Sequence, residues 1–112
     1  MARRHTLASL AVTATIFALA DQPRHGLAII DWVAASTKGR VKLGPGTLYG
    51  TLQKLLADGL IREAATAPDP DDDDPRRRYY ALTPKAKREL KSEAVRMRAL
   101  VDAAIAQGIL EA

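Results

Sequence analysis

The chain has 112 residues and no cysteine, so it is one domain long and holds no disulfide, thiolate metal site or thiol nucleophile. Aromatic residues make up 4%, so the core must be built from Leu, Ile, Val and Ala, which favours packed helices over a large sheet. The net charge is +4, yet Asp69 and Asp71 to Asp74 gather much of the acid into one tract, leaving a basic body suited to a polyanionic partner.

Met1 to His5 form a short basic tail. The uncharged run Thr6 to Ala20 reads as a first helix, with Leu7, Leu10, Ala11, Ala14, Phe17 and Ala18 on one face. The run is too short and too mild to span a bilayer. The same segment also resembles a secretory signal ending at Ala18-Leu19-Ala20, and cleavage there would delete the helix. The rest of the chain favours the helix. Asp21-Gln22-Pro23 ends it.

His25 to about Thr37 reads as a second helix, with Leu27, Ile30, Val33 and Ala34 facing inward. Lys38-Gly39-Arg40 ends it, and Gly39 suits a left-handed cap. Arg40 to Leu43 alternates in polarity and is expected as a very short strand. Pro45 to Asp58 reads as a third helix, since Pro at the first helical position loses no hydrogen bond. Leu48, Leu52, Leu55 and Leu56 form its inner stripe, and Gly59 stops it.

Leu60 to Ala64 and Arg78 to Leu82 are expected as two strands of a hairpin, joined by the proline- and aspartate-rich tract. Thr83-Pro84 then opens a fourth helix, with Thr as N-cap and Pro in the first turn. Leu90, Ala94, Met97, Val101 and Ala104 follow at heptad spacing. This helix reaches about Gln107, roughly 36 Å by helix rise, which is too long for so small a body to cover. A second copy of the chain is the expected cover.

The order helix, helix, helix, hairpin, long helix is that of a winged helix-turn-helix with an added dimerisation helix. The fold class is therefore mainly α with a small β-hairpin wing. Residues 1–82 form the expected DNA-binding domain, with the wing at about 60–82, and residues 83–112 form the dimerisation helix.

The chain resembles the PadR family of transcription regulators. The resemblance rests on His25-Gly26-Leu27 and on Leu43-Gly44-Pro45-Gly46-Thr47-Leu48-Tyr49 with Leu52, Lys54 and Leu55. It continues through Asp58-Gly59-Leu60-Ile61 and Arg76-Arg77-Arg78-Tyr79-Tyr80-Ala81-Leu82-Thr83. It covers about residues 6 to 90 and lies in the order and spacing of these pieces. It implies a homodimeric repressor of a palindromic operator, released in some members by a small molecule such as a phenolic compound. Leu27, Gly50 and Ala86 depart from the aromatic residue, Pro and Gly common in the family. The acidic hairpin tip departs further.

The third helix carries the candidate reading surface independently of that resemblance. Its N-terminal end offers free N–H groups to a phosphate, and Gly44 and Gly46 allow close backbone approach. With the leucines inside, Thr47, Gly50, Thr51, Gln53 and Lys54 are expected to face a groove. Gln suits adenine, Thr a base or a thymine methyl, and Lys guanine or phosphate. The Tyr49 hydroxyl suits a phosphate, and its ring equally suits packing on the wing base. Lys42 and Arg40 precede the helix and suit either the DNA backbone or solvent.

Arg76, Arg77 and Arg78 are candidate phosphate contacts, or simply charge partners of the aspartate tract. Trp32 lies off the inner face and is expected to pack on the fourth helix or a partner subunit, with ligand stacking as the other reading. His25 is expected to cap or pack near the second helix, because His5 and His25 lack a metal-ligand spacing. No catalytic constellation and no cofactor motif stand in the sequence. The expected partners are double-stranded DNA, a second copy and an effector, in the cytoplasm. The alternative reading is a winged-helix dimerising module that binds protein and not DNA, with the acidic tip as its support.

Overall fold

A computed structural model describes residues 9–64, 74 and 76–112. The basic tail, Thr6 to Ala8, and the tract 65–73 with Pro75 therefore lie outside the described residues. So does the expected role of Leu7 and of Asp69 and Asp71 to Asp73.

Four helices and three short strands follow in chain order: α1 (Leu10–Ala18), β1 (Arg24–His25), α2 (Gly26–Ser36), α3 (Pro45–Ala57), β2 (Ile61–Glu63), β3 (Tyr79–Leu82) and α4 (Pro84–Ala106). The sheet order is β1-β3-β2, antiparallel throughout. Ile61 pairs with Leu82, Arg62 with Ala81 and Glu63 with Tyr80, which is the expected hairpin. β1 adds a strand that the sequence did not suggest, pairing Arg24 with Tyr80 and His25 with Tyr79. Two residues are too few for an alternating pattern, so only the docking of β3 reveals them.

α1 is the helix around which the others close, touching α2, α3 and α4. Val12, Thr13, Ala14, Thr15, Ile16 and Ala18 are all buried, so the helix has no single inner face. The expected face is corrected at Leu10, which is exposed, and at Phe17, which is half-buried. Many of its side chains are small, and this lets neighbouring backbones approach from several sides. The fully buried Thr15 hydroxyl donates to the Ala11 carbonyl at 2.8 Å, so this hydroxyl is satisfied.

α2 starts on its cap. The His25 Nδ1 accepts the Ala28 N–H at 3.2 Å, and the ring stands edge-on to Tyr79 at 5.3 Å. The inner face of α2 is Gly26, Ile29 and Val33. Leu27 is exposed and Ile30 half-buried, a shift of the expected face by one residue at these two positions, while Val33 stays inside. Lys38 takes the left-handed position after this helix, followed by Gly39. The Gly39 and Lys38 N–H groups return to Ala34 and Ala35, closing the helix end.

The expected strand at Arg40 to Leu43 does not form. Thr37 holds this segment instead, donating to the Val33 carbonyl at 2.8 Å and accepting the Val41 N–H at 3.0 Å. With no neighbouring strand to pair it, local alternation is not enough.

Leu48, Leu52, Leu55, Leu60, Ile61, Tyr80, Leu82, Ala86 and Leu90 join the α1 and α2 residues in one core. α3 ends as expected, with the Gly59 N–H on Leu56 and the Leu60 N–H on Leu55. Thr83 caps α4 by accepting the Ala86 N–H at 3.3 Å, and its hydroxyl donates to Gly59 at 2.8 Å. One side chain thus starts α4 and fastens it to the end of α3.

Candidate nucleic-acid interface

Helix geometry sorts the side chains of α3 into sectors. Leu48, Thr51, Leu52 and Leu55 are buried, and they span about 100° of the helix circumference at 100° per residue. Gly46, Thr47, Gly50, Gln53 and Lys54 are exposed and fall together on the opposite side, over about 120°. Tyr49 and Leu56 lie at one border, 54% and 37% exposed.

Two expectations are corrected here. Thr51 is only 8% exposed and packs with the leucines, so it does not belong to the outer surface. It stands three residues after Leu48 and four before Leu55, which is the spacing of one helix face. Leu56 takes the opposite correction, from inner stripe to border.

The outer face holds a second signal. A Cβ added at Gly46 or Gly50 would meet nothing within 4 Å among the described residues. Gly in a helix interior costs about 0.5–1 kcal/mol relative to Ala. At Gly50, inside α3, packing among the described residues does not repay that cost, and Gly46 in the first turn likewise leaves bare backbone facing outward.

Beside α3 a cleft of about 510 Å³ opens between the start of α2 and the wing. His25, Gly26, Tyr49, Tyr80 and Arg76 to Arg78 are among its lining residues. The structure therefore brings Tyr49 together with the three arginines, as the phosphate reading needs. β1 is the missing link: by pairing with β3 it seats the α2 N-terminus against the wing base. Lys42 is exposed ahead of α3 and does not line this cleft.

The wing cations are all engaged. Asp74 Oδ1 accepts the Arg76 N–H at 3.0 Å and its Nε at 3.3 Å, and Oδ2 lies 3.9 Å from Arg77 Nε. Arg78 reaches Glu63 across the hairpin at 3.4 Å. Hydrogen bonds from the Arg76 N–H and its side chain hold the Asp74 carboxyl below its usual range, with Arg77 adding to the effect. Burial pushes the Tyr80 hydroxyl above the ordinary tyrosine value, helped by Glu63.

Trp32 is half-buried against the core, and the Arg24 guanidinium lies 5.7 Å from its ring centre. Arg24 also pairs with Asp21 at 2.6 Å. Beside the expected packing of Trp32 on the fourth helix or a partner, the structure sets this cation on its ring, carried by β1, the element just before α2.

The heptad positions on α4 divide. Leu90 is 8% exposed and belongs to the subunit's own core, which corrects its place in an intersubunit seam. Ala94 and Ala104 are half-buried, and Met97 and Val101 are exposed. Leu100, Ile109 and Leu110 are exposed nearby. No helix among the described residues is long and apolar enough to cross a membrane, and none of their His, Asp or Glu clusters could hold a metal ion.

Three packed helices, a small sheet with its wing and a long fourth helix define a winged helix-turn-helix protein. A model of the transcriptional regulator PadR-like family matches residues 16–92, and the chain belongs to that family. The family consists of transcription regulators and not of enzymes.

Solved structures agree with the fold. A PadR family transcription regulator from Clostridium difficile superimposes with a TM-score of 0.71 at 20% identity, covering 91% of this chain and 100% of that one. A transcriptional regulator from Clostridium thermocellum gives 0.70 at 19% identity, covering 95% and 96%. Bacillus subtilis PadR, solved in complex with operator DNA, gives 0.64 at 20% identity over 80% of this chain and 48% of that one. A 37.1 kDa protein in transposon TN4556 of Streptomyces fradiae is 40% identical over 77 residues, which are 69% of this chain. The match spans 20% of that protein's length.

Proposed function

We propose that the chain is a sequence-specific DNA-binding repressor that acts as a homodimer on a palindromic operator. The observation that carries this reading is the outer face of α3. Its exposed Gly46, Thr47, Gly50, Gln53 and Lys54 lie together, and its two glycines have nothing packed on them. Such a face suits a helix in the major groove, with polar groups for base edges and bare backbone that allows close approach. Tyr49 and the arginines in the adjoining cleft suit the phosphates beside that groove. The operator complex of Bacillus subtilis PadR is a further support.

The second copy is assigned to the free part of α4. Met97, Leu100 and Val101 are large, exposed and apolar along one stretch of this helix. Pairing there would set two α3 helices into successive major grooves, about 34 Å apart. A small-molecule effector would act by changing that spacing. Trp32, the single tryptophan, reports through its fluorescence any ligand that stacks beside it. A cytoplasmic location accompanies this role.

The test is selection of bound sequences from random duplex DNA, followed by footprinting. The expected result is a two-fold symmetric footprint. Replacing Gln53 should change the preferred sequence more than the overall affinity. Replacing Arg76, Arg77 and Arg78 by Ala should flatten the salt dependence by up to about 0.9 per lost phosphate contact. The competing reading, a protein-binding module, draws support from the pairing of Asp74 with Arg76 and Arg77. A gel shift at modest salt that shows no complex would favour it.

A further inference from the structure

The same pairing has a more specific meaning if the cleft receives DNA. A phosphate binds best where a backbone N–H and a guanidinium converge. That donor set exists in the wing, and Asp74 already occupies it, accepting from the Arg76 N–H and the Arg76 Nε and lying near Arg77 Nε. The Asp74 side chain is 30% exposed, whereas that of Arg76 is 89% exposed. The carboxylate lines the same cleft as Tyr49 and the three arginines.

We infer that Asp74 is an internal competitor for a DNA backbone phosphate, which holds Arg76 and Arg77 in the free protein and lowers the affinity for all duplex DNA. This inference rests on the DNA-binding reading of the cleft. Two anions cannot share one set of donors without repulsion, so an arriving phosphate must displace the carboxylate. The chain thereby weakens its sequence-independent attraction to DNA and keeps its discrimination on α3, because phosphate contacts carry no sequence information. The charge of Asp74 is what matters here.

The experiment uses the full chain and a mixed-sequence duplex of about 30 base pairs, titrated from roughly 50 to 200 mM salt. Asp74→Asn removes the charge and keeps an oxygen for the Arg76 N–H. Asp74→Ser is a second neutral variant, and Asp74→Glu keeps the charge. Thermal melting confirms that each variant is folded. The expected result is about two- to tenfold tighter binding by the neutral variants, since exposed pairs of this kind are individually weak. Their salt dependence should steepen by up to about 0.9 per half-site, and Asp74→Glu should match the wild type. If the wild type binds and the neutral variants bind equally or more weakly, the inference is overturned while the DNA reading stands. Equal tightening by Asp74→Glu would also overturn it, because geometry rather than charge would then be responsible. If neither wild type nor variants bind duplex DNA at the lowest salt, the DNA reading fails and this inference fails with it.

Discussion

The Tyr49 hydroxyl lies against the backbone of Gly26: a Cβ placed on Gly26 would stand 3.1 Å from it. The first residue of α2 thus leaves room for the tip of a side chain on α3. Gly26→Ala should push the hydroxyl outward, with little loss of stability because the tip can move. If that hydroxyl meets a phosphate, Gly26→Ala and Tyr49→Phe should each weaken DNA binding by about two- to fivefold, about one hydrogen bond's worth. The double variant should be no worse than either alone, since both remove one contact. Additive losses in a binding titration would show that Gly26 acts on something else.

Gly50 separates folding from binding. Among the described residues, nothing lies within 4 Å of a Cβ placed there. Gly50→Ala should therefore stabilise the fold by about 0.5–1 kcal/mol, the ordinary difference in helix propensity. The added methyl would also stand on the surface assigned to the groove, so DNA affinity should fall. Thermal melting and a gel shift on the same preparation read the two effects. A stabilised variant with unchanged affinity would remove Gly50 from the interface.

Thr83 joins two helices with one hydroxyl. It accepts from Ala86 at the start of α4 and donates to Gly59 at the end of α3. Thr83→Ala should cost about 1–2 kcal/mol, the upper part of the range for an N-cap, seen as a lower urea midpoint with unchanged slope. Thr83→Ser should recover most of it.

Tyr80 makes a prediction on the alkaline side. Its hydroxyl is harder to ionise in the folded chain than in the unfolded one, because burial disfavours the charged form. The unfolded state therefore loses its proton first as pH rises past about 10, and stability falls from there until the folded group also ionises. Denaturant melts at increasing pH should show this fall, and Tyr80→Phe should show a shallower one.

The free part of α4 predicts the state of assembly. Met97→Glu and Val101→Glu place charges on the exposed apolar stretch, outside the subunit's own core. Sedimentation should show a dimer for the wild type and a monomer for the double variant, with helix content retained. Leu90→Glu should instead unfold the subunit, because Leu90 closes its own core.

Punctuation carried much of the fold into the sequence. Pro45 and Gly59 bound α3, Thr83-Pro84 opens α4, and these signals act locally, so neighbours in the chain are enough to read them. The leucine spacing in α3 likewise located the outer face that holds Gly46, Thr47, Gly50, Gln53 and Lys54. Only tertiary packing decided where the edges of each face fall. Thr51 went inside and Leu10, Leu27 and Leu56 went out, because the arc a helix buries depends on which neighbours crowd it. Packing also decided that two residues, Arg24 and His25, become a strand when β3 lies beside them. That pairing has no local signature, yet it bounds the cleft that Tyr49, the wing arginines and Asp74 line together. Long-range pairings arise from surfaces that meet only after folding, and so the cleft belongs to the structure while the helix beside it belongs to the sequence.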